Sequence, residues 1–270
     1  MSFIKQKILV CYLITKFDNE QILLDFITHY NINNSGVEHD LLVCFKLLNL
    51  SQINSFKNIL KDIRYIEYID NSTVNDYDLG SYNRVANTYS SRYIFFLNSL
   101  SYPNCDLWLK KIVDHYEKDS IVATTASYES LLSSIKLKKF YKFFSYYMKI
   151  QNYKKKFHPF PNPHIRTTGF LIKATDYSLF MKNIIIKNKE DAWCIESGKN
   201  SLTTYFKNIG FKIYIVNSDS NKFTEDKWKL SETFNYLNQK KNIISDRHTR
   251  QYLLLNSEDK KITQSKSWGL

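Results

Sequence analysis

Between residues 8 and 125, short apolar runs alternate with amphipathic ones, and only a few residues separate them. That alternation constrains the fold more than any other feature of the chain. Residues 8–15 (ILVCYLIT) form a continuous apolar run that is β-branched at both ends, as expected of a strand buried on both faces. EQILLDFITHYN follows, with apolar residues at Ile22, Leu23, Phe26, Ile27 and Tyr30 in helical spacing, and Asp18 is the candidate N-cap. The pattern repeats as a strand over 40–47, a helix opened by Ser51, a strand over 65–69, and a helix from Asp78 or Gly80 to Tyr89. A strand over 92–97, a helix over 104–118 and a strand over 120–125 complete it. Strict alternation predicts an α/β domain with a doubly wound, mostly parallel sheet flanked by helices. Ligands of such sheets bind beyond the carboxyl ends of the strands. The windows to inspect are therefore 15–18, 70–78 and 98–102.

The middle of the chain breaks the rhythm. Residues 129–156 read as a long basic, aromatic helix or helix pair. Pro159, Pro161 and Pro163 then forbid regular structure. A strand is predicted over 168–173. Asn200 is the expected cap of a helix that Gly210 ends, and a strand is expected over 211–216. The polar tail after Asn217 is expected to wrap the domain. The whole is read as a single domain with a nucleotide-sugar-binding half (1–127), an acceptor half with the basic insertion (128–217) and a C-terminal wrapping tail (218–270).

The formal charge of +12 suits an anionic partner, whether nucleic acid, anionic lipid or a phosphate-bearing small molecule. No nucleic-acid-reading motif accompanies it, so nucleic acid is not the expected partner. Much of the excess is local. Residues 136–156 hold eight Lys and no acid, either as a solvated face or as a membrane-facing helix with Phe140, Phe143, Phe144, Tyr147 and Ile150 in one stripe. The four Cys include no CxxC pair, which argues against a zinc or redox site. The apolar N-terminal stretch of about nine residues is too short to span a bilayer. A cytoplasmic protein is expected, peripheral on the inner membrane face if the stripe meets lipid. No G-x-G-x-x-G, P-loop or G-x-S-x-G motif occurs.

ITKFDNE at the first strand end, DLGSYNRVAN (Asp78, Gly80 and Asn87, with Ala86 displaced) and the apolar strand RYIFFL resemble the donor half of GT-A glycosyltransferases of the family-two type. FLNSLS followed by WLKKI, then FPNPHIRTTGFLI, ESGKNSLT, DRHTRQY and the terminal WG resemble glycosyltransferases of bacterial surface-polysaccharide loci, of the capsule or lipopolysaccharide kind. The resemblance spans residues 8–269. It implies a GT-A fold, a nucleotide-sugar donor and a glycan or lipid-linked glycan acceptor. It also implies a Mg²⁺ or Mn²⁺ ion on the donor diphosphate, held by a DxD pair. Here Asn98-Ser99-Leu100 stands in that place. Leu100 cannot ligate and Asn98 ligates weakly, so metal-independent transfer is the expectation.

The implied donor-binding residues are Thr15, Asp18, Asp70, Asp78, Asn98, Ser99, His164 and Arg166. Asp18 and Asp70 are candidate base- and ribose-reading groups, and Arg166 offers a forked donor to phosphate. Inverting transfer needs a general base. Glu196 is the first candidate and Asp191 the second. Structural alternatives stay open: Asp18 as a helix cap, His164 as a turn residue, Arg166 in an ion pair, and Glu196 as a cap or as the partner of Arg166. Retaining transfer and a non-catalytic scaffold role also remain open.

Overall fold

The computed structural model describes residues 3–4, 6–135 and 143–269. Its first half follows the predicted alternation. β1 (Ile8–Thr15), α1 (Glu20–Ile32), β2 (His39–Lys46), α2 (Leu50–Ile59), β3 (Ile66–Asp70), α3 (Tyr77–Thr88) and β4 (Tyr93–Leu97) succeed one another. β5 (Tyr102–Pro103), α4 (Trp108–Val113), β6 (Ser120–Ala123), β7 (Ala126–Ser127) and α5 (Phe143–Lys156) come next. Then follow β8 (His164–Ile165), β9 (Phe170–Lys173), α6 (Ala174–Met181), α7 (Lys189–Ser197), α8 (Leu202–Asn208) and β10 (Lys212–Val216). The tail holds β11 (Lys222–Phe223), a 3₁₀ turn over Glu225–Ser231, β12 (Ile244–Ser245), α9 (Arg247–Leu254) and α10 (Ser257–Trp268).

An eight-stranded sheet in the order β11-β10-β6-β9-β4-β1-β2-β3 forms the centre of this mixed α/β domain. β1 pairs in parallel with β2 and β4, β2 with β3, and β6 with β10. β9 runs antiparallel between β4 and β6, and β11 antiparallel to β10. The sheet is therefore mostly parallel, as expected, with two reversed strands that periodicity could not reveal. The period-two alternation of a strand divides β1 between two cores. Leu9, Cys11 and Leu13 join Cys44, Phe96, Phe170 and Tyr177 on one face. Val10, Tyr12 and Ile14 join Phe26, Phe45, Phe95 and Trp108 on the other. Helices cover both faces, which is why β1 reads as one unbroken apolar run.

The expected helix over 104–118 shrinks to α4. β5 pairs with β12, and Leu107 takes a left-handed φ of 57° just ahead of the helix, so the chain is committed elsewhere until Trp108. Three caps also differ. Asn19 rather than Asp18 accepts from Ile22 N–H, Asn49 rather than Ser51 caps α2, and Ser201 rather than Asn200 caps α8. In each case the capping residue is extended and its side-chain oxygen reaches the N–H of the first turn, which the expected residue does not do.

Trp268 buries its ring and donates its indole N–H to Phe234 C=O at 2.8 Å, and Tyr128 N–H reaches Ser267 C=O at 2.8 Å. Of the long basic segment, α5 is described and residues 136–142 lie outside the described residues.

Candidate functional site

The carboxyl ends of β1 and β4 meet in a small hydrogen-bonded cluster. Asp18 folds back on β1 and accepts from Thr15 N–H at 2.7 Å and Thr15 Oγ1 at 2.8 Å. Its other oxygen accepts from Ser99 Oγ at 2.8 Å, while Tyr12 OH donates to Ser99 C=O at 2.6 Å. Thr15, Asp18 and Ser99 are thus brought together, and Asp18 is occupied here instead of capping α1. Asn98 donates from Nδ2 to Thr168 Oγ1 at 3.0 Å and accepts from Ser101 Oγ at 2.5 Å.

Asp78, in the first turn of α3, lies within electrostatic reach of Asp18, Asn98 and Glu196. It is only half-buried by surface area, yet the protein crowds it. Desolvation pushes its carboxyl up to about 6. Lys46 opposes the rise, Asp18 and Glu196 add to it, and a hydrogen bond from Asn98 pulls it back. The sign is clear. In the folded state Asp78 holds its proton above its ordinary 3.8, so its contribution to stability is full below about pH 4 and lost as pH rises through about 6. Asp78→Asn is therefore expected to gain thermal stability over the parent at pH 7.5 and to gain none at pH 4. An equal difference at both pH values would remove the buried-carboxylate assignment.

Asp70 lies elsewhere. Its side chain is fully buried, and Arg84 clamps it through Nε at 2.6 Å and Nη2 at 2.7 Å. Ser81 Oγ at 2.5 Å and Ser72 N–H at 3.1 Å fill its remaining lone pairs. In this arrangement every Asp70 acceptor site is taken by the protein itself, which gives the residue a structural part beside the ribose- or base-reading one expected of it. Arg84 also reaches Asp76 at 2.6 Å, and the buried Lys46 donates to Asp76 and to Tyr77 C=O. Burial alone would raise the Asp70 and Asp76 carboxyls, but Arg84 outweighs it, with Ser81 helping at Asp70 and Lys46 at Asp76. Both stay below the ordinary range. Their stabilisation is present above that range and lost as pH falls through it. Gly80 is part of this arrangement: a Cβ there would come within 2.0 Å of Asp76 Oδ2. Lys46, Asp76 and Arg84 were not singled out from the sequence. The one available signal was a Lys closing the apolar run DLLVCFK.

Opposite the strand ends, α7 presents Glu196 in its last turn. Among the described residues its one hydrogen bond is a long one, 3.5 Å from Thr167 N–H. Arg166 does not pair with it. The Arg166 guanidinium donates to Asp246 Oδ2 at 2.6 Å and lies 4.2 Å over the Phe234 ring. Asp246 also caps α9, so Arg166 stitches the Pro-rich segment to the tail, the ion pair that stood as the alternative to a diphosphate or sugar contact. Burial would raise the Asp246 carboxyl, yet Arg166 holds it low. His164 on β8 is buried and takes Asn162 C=O at 2.8 Å. Burial lowers its pKa below 6.5 despite Glu196 nearby, so it is neutral at pH 7. Asp191 sits in the capping box of α7, accepting from Lys187 and Asn188 N–H at 2.9 and 3.1 Å, and does not join Glu196.

A cavity of about 360 Å³ opens beside Glu196, lined in part by His164, Arg166, Trp193, His248 and Lys266. The tail thus closes one side of the site. His248 lies in the quoted DRHTRQY segment and had no assigned role.

The donor set does not fit a divalent cation in the DxD position. Ser101 occupies the Asn98 oxygen, Ser99 donates to Asp18, and Leu100 has no ligating side-chain atom while its C=O accepts from Arg250 Nη2 at 3.0 Å. Among the described residues no group of three or more His, Cys, Asp or Glu is arranged to hold a metal.

No family model matches the chain, and no curated protein does. Solved structures do resemble it. The apo glycosyltransferase GlyE of Streptococcus pneumoniae TIGR4 aligns at TM-score 0.49 and 9% identity, over 97% of this chain and 65% of that one. A nucleotidyl transferase of Methanothermobacter aligns at TM-score 0.43 and 7% identity, over 75% and 95%. The mannosyltransferase Ktr4p of S. cerevisiae aligns at TM-score 0.37 and 12% identity, over 72% and 63%. The chain therefore spans just under two-thirds of GlyE and of Ktr4p.

Proposed function

We propose that this chain is a glycosyltransferase that moves a sugar from a nucleotide-sugar donor to a hydroxyl of a glycan or lipid-linked glycan, with inversion and without a DxD-held metal. The observation that carries the reading is that Glu196, free of any cationic clamp among the described residues, lies within electrostatic reach of Asp78, which also feels Asp18 of the Thr15–Asp18–Ser99 cluster. The donor's nucleoside end lies at the strand ends, where Asp18 and Asp78 accept from ribose or base donors. The acceptor enters from the cavity beside Trp193, where an indole face suits a sugar ring. Glu196 takes the acceptor hydroxyl proton as the oxygen bonds to the anomeric carbon. The carbon–oxygen bond to the diphosphate breaks, and the nucleoside diphosphate leaves with the electron pair.

On this reading the acceptor belongs to capsule or lipopolysaccharide synthesis at the cytoplasmic face of the membrane, which the resemblance to surface-polysaccharide enzymes supports. No helix among the described residues is long and apolar enough to cross a membrane. A non-catalytic scaffold is the competing reading, because DxD is absent and Arg166 is tied to Asp246.

Donor turnover with and without EDTA tests both points. Turnover should survive chelation within about a factor of two or three, since the DxD position offers no carboxylate to a hard cation. Collapse on chelation, restored by Mn²⁺, would contradict metal independence. No turnover with any nucleotide sugar would favour the scaffold.

A further inference from the structure

α5 carries an outer face that nothing among the described residues covers. Phe143 is 58% exposed, Phe144 76%, Tyr147 51% and Met148 53%. Tyr146, Ile150 and Tyr153 turn inward at three- and four-residue steps, and Phe157 beyond the helix end is fully buried. The inner face therefore anchors α5 to the domain, and the outer one is surplus to packing. Ile150, expected in the exposed stripe, belongs to the inner face, and Met148 takes its place outside. Two turns further along the outer face stand Lys154 and Lys155, both exposed. α5 contains no acidic residue.

Contiguous exposed aromatics of this size mark an interaction surface and not ordinary solvent-facing scatter. The cations select its occupant. A helix with exposed aromatics at one end, lysines at the other and no acid complements an apolar layer bordered by negative headgroups. The chain as a whole, at +12, carries the same sign.

The helix is also tied to α7, which carries the candidate base. Lys156 pairs with Glu190 in the first turn of α7, Lys199 N–H donates to Lys156 C=O at 2.8 Å, and Phe157 bridges to Gly198. Glu196 thus sits between two anchors of the same helix.

We propose that the outer face of α5 docks the protein on an anionic lipid surface and presents the Glu196 cavity to acceptors held in that surface. This rests on the transferase reading only for its second half; the docking stands on α5 alone. Phe144 and Tyr147 insert at the headgroup boundary, and Lys154 and Lys155 meet lipid phosphates, each worth about a fivefold gain in partitioning at low salt.

The test is co-sedimentation of the full chain with vesicles of phosphatidylcholine alone and of phosphatidylcholine with a quarter phosphatidylglycerol, at low and high salt. Binding should be at least about tenfold stronger to the anionic vesicles and should fall away at high salt. Phe144→Ser with Tyr147→Ser should abolish it, and Lys154→Glu with Lys155→Glu should abolish the anionic preference. Unchanged circular dichroism would show that both variants fold. Equal binding to both vesicles, no binding at low salt, or a dimer in sedimentation equilibrium that Phe144→Ser dissolves would overturn the proposal. Donor turnover on a soluble acceptor is read separately. If vesicles fail and turnover persists, the surface is wrong and the transferase reading stands. The converse outcome rejects transfer and keeps the surface.

Discussion

Glu196→Gln is expected to lower turnover by about 10²–10⁴-fold, the usual range for losing a general base, with donor affinity retained. The substitution keeps the shape of the side chain and its contact with Thr167 N–H, and removes only the ability to take a proton. Asp191→Asn supplies the control. Asp191 accepts two backbone N–H groups in the capping box of α7, so its loss costs about 1 kcal/mol of stability and little chemistry. A Glu196→Gln enzyme within a factor of three of the parent would rule out Glu196 as the base and point to retaining transfer.

Arg84→Met is the other large expected effect. Arg84 holds Asp70 through two bonds and Asp76 through two more, at 2.6, 2.7, 2.6 and 3.1 Å. Asp70 is the member that suffers, because its side chain is fully buried and no other cation is bonded to it among the described residues. Removing one partner of a buried pair leaves an uncompensated charge, which costs about 3–5 kcal/mol. Arg84 is itself about one-third exposed, so the lower end is expected. Asp76 keeps Lys46 and suffers less. Urea unfolding reads the loss directly. A change below about 1 kcal/mol would mean that Asp70 is already stable without its clamp. Arg84→Lys should recover only part of the loss, since an ammonium cannot span the Asp70 carboxylate as the fork does.

The first half of the fold was readable because its strands are buried on both faces and its helices on one. β1 and α1 show this as an unbroken run followed by helical spacing. Strand direction was not readable: β9 looks like any short apolar strand, and only its pairing between β4 and β6 makes it antiparallel. The caps slipped by one or two residues where two polar residues compete. Asp18 and Asn19 can each cap α1, and the loser is decided by a bond to Ser99, 81 residues away.

The site divides in the same way. Asp18, Ser99 and Asp78 lie where the alternation said a ligand would bind. Glu196 lies in the last turn of α7, a helix the sequence reading did not include ahead of the one opened near Asn200. Arg166 and Asp70 were read as ligand contacts because their types suit phosphate and ribose. Their partners, Asp246 and Arg84, come from segments whose pairing no local pattern encodes. The capping box of α7, Asn188 with Asp191, was legible from its spacing and would have withdrawn Asp191 as a base.

Thermal denaturation against a panel of UDP-, GDP-, CMP- and dTDP-sugars tests the central claim most directly. The account predicts that one nucleotide class stabilises the protein by about 2.7 kcal/mol at a hundred times its dissociation constant. Asp18→Asn should weaken that shift, and Glu196→Gln should leave it intact. A panel in which no nucleotide sugar shifts the transition, or in which Asp18→Asn changes nothing, would contradict a donor site at the ends of β1 and β4.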